Sequence, residues 1–127
     1  MSYFWIGLGS AIGGMGRHWC SNLVSRFFGE SFPWGTILVN IIGCLVIGFT
    51  ASALLTESRL LSTPDTKNFL MIGILGGYTT FSAFSLQTLM LARDGYWISA
   101  GLNVFLSVVL CLIAVWLGYI CASMVFR

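Results

Sequence analysis

No charged side chain interrupts the stretch GYWISAGLNVFLSVVLCLIAVWLGYICASMVF, which runs from Gly95 to Phe126. A helix needs about 20 residues to cross the hydrocarbon core of a bilayer, so this stretch is long enough to span a membrane. Two further charge-free stretches, from Ser31 to Thr56 and from Asn68 to Ala92, also exceed that length. The charge pattern therefore predicts three transmembrane helices.

The composition places the whole chain in a membrane. Hydrophobic residues make up 57% of its 127 residues and charged residues 8%, against about 25% charged in soluble domains. A soluble fold this short leaves much of its chain exposed and could not cover so much apolar surface. No basic residue precedes the first apolar run as it would in a cleaved signal, so we expect one integral membrane domain over residues 1–127.

The first stretch of the chain, from Ser2 to about Val24, is also apolar and rich in glycine and aromatic residues. Arg17 interrupts it, and we count it as a fourth span that carries a charge. The predicted fold is therefore all-α, with four transmembrane helices at about residues 2–27, 34–56, 67–92 and 96–125.

Positive charges are nearly balanced between the two sides of such a four-helix protein. One side holds Arg59, Lys67 and Arg127, and the other holds Arg26, Arg93 and, within helix 1, Arg17. Short cytoplasmic loops normally carry the excess of Lys and Arg, so a balanced chain can insert in both orientations. Because identical subunits usually pair symmetrically and inverted repeats recur in transport proteins, we predict an antiparallel, dual-topology homodimer.

Acidic side chains are absent from the predicted spans. All four are expected in loops: Glu30, Glu57, Asp65 and Asp94. Proton-coupled pumps and antiporters usually need an ionisable group inside the membrane. The pattern therefore argues against the small multidrug-resistance transporters, which share this size and dual topology but use an acidic residue in their first helix.

Neutral polar residues lie inside three of the predicted spans at helical spacing. Thr36 and Asn40 are four residues apart in helix 2, and Asn103, Ser107 and Cys111 repeat that spacing in helix 4. Such side chains commonly hydrogen-bond between helices, where each contributes about 0.6 to 2 kcal/mol. A line of them can also form the wall of a polar pathway.

Helix 3 concentrates these residues in the stretch GGYTTFSAFSLQ, from Gly76 to Gln87. Two glycines and two β-branched threonines favour helix poorly, so we predict that helix 3 is broken at this point. Backbone carbonyls freed within lipid must find partners or line a cavity, and they can coordinate a small cation.

Phe81 and Phe84 share a helical face beside this break, next to the face that carries Ser82 and Ser85. An aromatic ring is positive at its edge and negative on its face, so ring edges would attract an anion and ring faces a cation. The sequence does not choose between the two, and packing in a core is the usual role of two phenylalanines.

The four cysteines are Cys20, Cys44, Cys111 and Cys121. They lie in or at the edge of apolar spans and lack the paired spacing of a zinc site. We interpret them as small buried apolar residues.

Three motifs resemble one family of membrane proteins. The stretch GGYTTFSAFS, from Gly76 to Ser85, resembles the GGxTTFSTFS signature of the Fluc or CrcB fluoride channels. The stretch PWGTILVNIIG, from Pro33 to Gly43, resembles their helix 2 pattern GTLxxNxxG, and GGMGR at residues 13–17 resembles their helix 1 glycines before an arginine. The resemblance covers the whole chain in order and spacing.

The resemblance implies a passive, selective fluoride channel, without enzymatic activity, built as an antiparallel dimer with two pores. Fluoride enters cells as its neutral acid and is trapped as the anion, so a channel driven by the negative-inside potential would export it. The implied location is the inner membrane of the cell, as a multi-pass protein. The implied partners are fluoride, sodium, the lipid bilayer and a second copy of the chain, with no nucleic acid.

The resemblance also implies roles for individual residues in the fluoride pore. Phe81 and Phe84 would form an aromatic box whose edges meet the ion, with the amide of Asn40 beside them. Further hydroxyl and amide groups near the route would come from Ser82, Ser85, Thr36, Asn103 and Ser107.

Two other roles lie outside the pore itself. The backbone carbonyls of Gly76 and Thr79 from both subunits would hold a structural sodium ion at the centre of the dimer. Arg17 would line an aqueous vestibule and raise the local concentration of anions.

Two positions differ from the common family pattern. Many members carry a glutamate in place of Gln87, and a serine is common in place of Cys111. Together with Thr80, these residues lie beside the implied route without an assigned role. The alternatives are a dual-topology transporter of the small multidrug-resistance kind and a structural membrane protein without transport.

Overall fold

The computed structural model describes residues 2–56 and 63–126, and every regular element within these ranges is a helix. The elements are α1 (Ser2–Phe28), α2 (Trp34–Thr56), α3 (Pro64–Lys67), a π-helical segment (Asn68–Leu75), α4 (Gly76–Tyr78), α5 (Phe81–Arg93) and α6 (Trp97–Val125). The predicted all-α fold is thus confirmed. Glu57, Arg59 and Arg127, which enter the charge arguments above, lie outside the described residues.

Three helical stretches of the described chain are long and apolar enough to cross a membrane: Trp34–Leu54, Pro64–Arg93 and Trp97–Val125. They correspond to the three charge-free stretches of the sequence. Helix α1 is 27 residues long and packs against the π-helical segment and α4, but it does not meet the same length-and-hydropathy standard. Its role as a fourth span therefore stays a prediction.

The third span begins earlier than predicted, at residue 64 rather than 67. Thr63 caps it, because the Thr63 hydroxyl accepts a hydrogen bond from the backbone N–H of Thr66 at 3.3 Å. Pro64 occupies the first helical position, where its missing N–H and fixed φ favour a helix start. Asp65, expected in a loop, consequently lies in the first helical turn, where a carboxylate complements the helix dipole.

Two glycines with left-handed backbone conformations end helices on the same side of the molecule. Gly29, with φ of +79°, follows α1, and Gly95, with φ of +88°, follows α5. At the end of α5 the N–H of Tyr96 bonds the carbonyl of Leu91 at 2.8 Å, which closes the helix in a Schellman motif. These glycines turn the chain sharply into α2 and α6.

The π-helical segment lies where α1 approaches the third span most closely. A Cβ atom added to Gly9 would collide with the carbonyl oxygen of Phe69, and one added to Gly13 would collide with that of Ile74. Backbone therefore packs on backbone, as small residues allow between membrane helices. The sequence predicts an ordinary α-helix over residues 68–75, whereas the structure has the wider π-helical winding there.

Helices α2 and α6 form the most extensive helix pair in the molecule. A Cβ on Gly48 would collide with the carbonyl oxygen of Val115, and a Cβ on Gly118 would collide with that of Leu45. The two helices run in the same direction, because Cys44 lies close to Cys111 before these contacts and Phe49 contacts Phe126, which directly follows α6, after them. This close pairing positions the cavity described below.

Substituting alanine for Gly48 is expected to destabilise the α2–α6 pair, since overpacking a tight contact costs about 1–3 kcal/mol. Gly101→Ala in α6 is the matched control, because no atom lies within 4 Å of a Cβ at that position. Thermal unfolding of the purified protein in detergent should show a lower midpoint for Gly48→Ala and an unchanged one for Gly101→Ala. Equal midpoints would contradict this packing.

Candidate functional site

The chain leaves helical geometry for two residues between α4 and α5. Thr79 and Thr80 have extended backbone dihedrals, with φ and ψ of −80° and 156° and of −150° and 115°, whereas Gly76 and Gly77 are helical. The Thr80 hydroxyl then accepts a hydrogen bond from the N–H of Ala83 at 3.1 Å and caps α5. The threonines, rather than the glycines, therefore adopt the extended conformation.

The amide of Asn40 on α2 pairs with the backbone of this extended segment. The N–H of Thr80 donates to Asn40 Oδ1 at 2.8 Å, and Asn40 Nδ2 donates to the carbonyl of Thr80 at 3.0 Å. The side chain thus supplies both hydrogen bonds that an extended backbone would otherwise miss inside a membrane span. An amide NH₂ group has two donors, so Asn40 keeps one N–H beyond this pair.

The extended segment also changes the partners of nearby backbone carbonyls. Because the N–H of Thr80 bonds Asn40, it does not bond the carbonyl of Gly76, its regular helical partner. The Leu75 carbonyl instead accepts two bonds from Thr79, one from its N–H and one from its hydroxyl, both at 3.1 Å. The carbonyl oxygen of Gly76 is therefore released from its helical donor at this point of the third span.

Phe81 and Phe84 form an aromatic pair at the start of α5. Their ring centroids are 5.2 Å apart and their planes are tilted by 54°. Phe84 is buried, with 8% of its surface exposed, whereas Phe81 is 76% exposed in the single chain. One ring of the pair therefore lies inside the helix bundle, and the other lies on an open face of the single chain.

A cavity of about 400 Å³ lies between α2, the broken third span and α6. Its walls are formed by Asn40, Gly43, Cys44, Ile47, Leu75, Gly76, Thr79, Thr80, Phe81, Phe84, Ser107, Val108, Cys111 and Leu112. None of these side chains is charged. The cavity therefore brings the predicted amide, aromatic pair and carbonyl residues together with one hydroxyl residue of α6.

Most polar hydrogens in this cavity are already engaged within the protein. Thr79 donates its hydroxyl proton to the carbonyl of Leu75, and Ser107 donates its own to Asn103 Oδ1 at 3.3 Å. The second N–H of Asn40 is not committed by these bonds, and Phe81 and Phe84 line the same cavity. A small anion would thus meet neutral donors rather than a fixed cation.

A second cavity, of about 850 Å³, opens near the α1–α2 and α5–α6 connections. Thr36 and Gln87 contribute to its walls, together with Glu30, Asp94 and several serines. Thr36 is one helical turn from Asn40, so α2 forms part of both cavities. The Oε1 atom of Gln87 is buried and has no hydrogen-bond partner among the described residues.

A chain of hydrogen bonds connects α6 to the backbone of the aromatic pair. Asn103, only 1% exposed, donates from Nδ2 to the hydroxyl of Thr88 at 2.8 Å. Thr88 in turn donates to the carbonyl of Phe84 at 2.8 Å. Asn103 and Ser107 therefore act here as supports for α5, and Thr88 is a member that the sequence interpretation missed.

Replacing Thr88 by valine, which keeps the shape but removes the hydroxyl, should leave a buried amide N–H of Asn103 without its acceptor. Such a loss costs about 1–3 kcal/mol. Ser85→Ala is the matched control, because the Ser85 hydroxyl bonds only the Phe81 carbonyl within its own helix and is exposed. We expect a lower thermal midpoint for Thr88→Val than for Ser85→Ala, and the reverse order would contradict the supporting role.

Four predicted residues lie outside both cavities: Asn103, which supports α5, and three others on α1 and α5. Ser85 is exposed and bonds the carbonyl of Phe81 at 3.0 Å, while Ser82, also exposed, lies 3.3 Å from the hydroxyl of Thr80. Arg17 is half-buried on α1, one turn before Ser21, which contributes to the second cavity. The single chain thus gathers the amide, the aromatic pair and the carbonyl residues but leaves these three at its surface.

A set of apolar helices that encloses a cavity with neutral polar groups and an extended backbone segment is typical of membrane channels and transporters. The chain belongs to the CrcB-like family, since the family model described as "CrcB-like protein, Camphor Resistance (CrcB)" matches residues 4–119. The resemblance found in the sequence motifs is therefore confirmed.

Several curated relatives are similar to the chain over nearly its full length. A protein of Opitutus terrae named "Fluoride-specific ion channel FluC" is 54% identical over 120 residues, which cover 94% of this chain and 91% of the relative. Proteins with the same name from Methylocella silvestris and Paramagnetospirillum magneticum are 51% and 46% identical, over 96% and 100% of this chain and 93% and 99% of the relatives.

Proposed function

We propose that this chain is a fluoride-specific ion channel of the inner membrane that exports cytoplasmic fluoride by electrodiffusion. The observation that carries the proposal is the uncharged cavity in which the Asn40 amide and the Phe81–Phe84 pair form one wall. Relatives that are about half identical to the chain are named as fluoride-specific channels. Those names describe channels rather than enzymes, and we assign no catalytic group.

Neutral donors suit the passage of fluoride for a physical reason. Fluoride is small and strongly hydrated, so a selective pore must replace its water with hydrogen-bond donors of comparable strength. A lysine or arginine in the cavity would bind the anion tightly and slow its release. The free N–H of Asn40 and the ring edges offer attraction without such a trap.

A second copy in the opposite orientation would complete the site. Phe81 is 76% exposed in the single chain although it lines the cavity, so a second copy packed on this face would close the cavity toward the lipid. The balanced positive charges favour insertion in both directions, and a two-fold axis in the membrane plane would give two equivalent pores. Cross-links that form only between parallel copies would contradict this arrangement.

A structural sodium ion fits the backbone at the extended segment. The Gly76 carbonyl is released from its helical donor, and Thr79, two residues from the start of α5, is extended. Carbonyl oxygens are suitable ligands for small hard cations, and two copies would contribute four of them. The sodium ion would neutralise these dipoles at the dimer centre and would take no part in fluoride conduction.

The remaining residues would serve the approach to the pore. Thr36 and Gln87 belong to the larger cavity, which we assign as a vestibule between the loops and Asn40. Arg17 on α1 would raise the concentration of anions near that entrance. Ser82 and Ser85 would line the route only after a second copy packs against α5.

Fluoride efflux from liposomes tests the function directly. Vesicles loaded with potassium fluoride and carrying the purified chain should release fluoride to an external electrode once valinomycin lets potassium follow, whereas protein-free vesicles treated in the same way should retain it. An absence of release from vesicles that contain correctly folded protein would overturn the proposed function.

A further inference from the structure

Two cysteines stand opposite each other across the α2–α6 pair. Gly48 meets the backbone of Val115, and Cys44 and Cys111 each lie four residues earlier, one turn back on the same two faces. Their thiols are close enough to interact with each other, and both residues are half-buried in the wall of the 400 Å³ cavity. The parallel register of the helices thus places a thiol pair inside the candidate pore.

The same register links this pair to the polar end of the cavity. Asn40 and Ser107 lie one further turn back on the same faces, and both contribute to the cavity wall. The thiols therefore lie about 5–6 Å along the helix axes from the amide that we assign to the fluoride route. A change of charge at the thiols would therefore change the electrostatic potential at this amide.

The ligand set restricts which ion such a pair could hold. The described residues contain no group of three or more His, Cys, Asp or Glu side chains able to hold a metal, so the four-ligand site that zinc prefers is not formed there. Soft thiolates select soft ions. Monovalent d¹⁰ cations such as Ag⁺ and Cu⁺ accept two thiolates in a linear arrangement.

We propose that Cys44 and Cys111 form a binding site for one monovalent thiophilic cation, and that its occupation blocks fluoride conduction. On binding, two S–H bonds break, two metal–sulfur bonds form and two protons leave to water. The neutral thiol pair thereby becomes a complex with a net charge of −1. A negative charge one helical turn from Asn40 opposes the passage of an anion, so the inhibitory half of this proposal rests on the proposed function.

Silver binding to the purified full chain in detergent tests the site itself. The probe is silver nitrate in chloride-free buffer, because silver chloride precipitates whereas silver fluoride is soluble. We expect one tightly held Ag⁺ per chain after gel filtration. Cys44→Ala or Cys111→Ser should weaken binding about tenfold or more, since each removes one of two ligands. The matched control, Cys20→Ala with Cys121→Ala, should bind as the parent does.

Thiol protection provides a second measurement that needs no variant. Bound Ag⁺ should protect Cys44 and Cys111 from a maleimide, while the exposed Cys121 stays reactive, as peptide mass spectrometry would show. Two results would overturn the site. One is silver binding that is unchanged in both Cys44→Ala and Cys111→Ser, and the other is full maleimide labelling of both Cys44 and Cys111 in the presence of silver.

Fluoride efflux with and without silver separates the two proposals. We expect silver to slow efflux about tenfold or more in the parent and in the Cys20/Cys121 control, which corresponds to a barrier rise of about 1.4 kcal/mol. Fluoride efflux through Cys111→Ser should not respond to silver. Bound silver without inhibition would overturn the blocking role, whereas a parent without any efflux in the absence of silver would overturn the proposed function and leave the binding result standing.

Discussion

Phe81→Ile and Phe84→Ile are each expected to reduce fluoride efflux from liposomes about tenfold or more. Isoleucine retains the apolar volume but has no positive ring edge to meet an anion. The loss of about 1.4 kcal/mol of stabilisation at the barrier slows a rate tenfold. Because Phe84 is buried whereas Phe81 is exposed in the single chain, only Phe84→Ile should also lower the thermal midpoint of the isolated subunit.

Phe105→Ile provides the matched control for these variants. Phe105 is 61% exposed on α6 and contributes to neither of the two cavities described above. Its replacement should leave fluoride efflux unchanged. If all three variants conduct at the parent rate, the aromatic pair has no place in the fluoride pathway.

Asn40→Asp should abolish detectable fluoride efflux. A carboxylate about 4 Å from the ion would repel it by about 4 kcal/mol at an effective dielectric constant of 20, which corresponds to roughly a thousandfold lower rate. The substitution also removes the donor to the Thr80 carbonyl while it keeps an acceptor for the Thr80 N–H. The same liposome assay measures the effect.

Asn40→Leu separates the two consequences of that change. Leucine removes both hydrogen bonds to Thr80 but adds no charge. If repulsion dominates conduction, the folded leucine variant should retain more fluoride efflux than the aspartate variant. Parent-like efflux through Asn40→Asp would exclude Asn40 from the pathway.

The helices were predictable because a membrane span has a simple signature. Charge-free stretches of more than about 20 residues fixed the second, third and fourth helices, and the glycines at 29 and 95 end helices as left-handed residues do. The start at Pro64 was missed although Thr63 followed by Pro64 carries a capping signal. The π-helical winding of residues 68–75 was not predictable, since it accompanies close packing on Gly9 and Gly13 from a distant part of the chain.

The candidate site was predictable in its residue types but not in its bonds. The composition of the stretch from Gly76 to Gln87 indicated a weak helix, yet the sequence could not assign the extended backbone to Thr79 and Thr80. The pairing of Asn40 with Thr80 joins residues that are 40 positions apart, and no local pattern encodes such a contact. Asn40 thus has a backbone partner as well as a proposed role toward the ion.

Two further features depend on the register between helices. Thr88 was not singled out in the sequence, because only the packing of α5 on α6 places it between Asn103 and Phe84. Cys44 and Cys111 were interpreted as separate apolar residues. Their proximity follows from the parallel pairing of α2 and α6, which the sequence alone does not show. Positions in different spans acquire a common function only when the fold brings them together.

Electrogenic selectivity tests the central claim most directly. Vesicles that carry the purified chain and are loaded with potassium fluoride and potassium chloride are compared with and without valinomycin, and both anions are measured outside. The account predicts rapid fluoride release only when valinomycin lets potassium follow, with chloride retained. Equal release of both anions, or fluoride release that ignores valinomycin and depends on a proton gradient, would contradict a fluoride-selective channel.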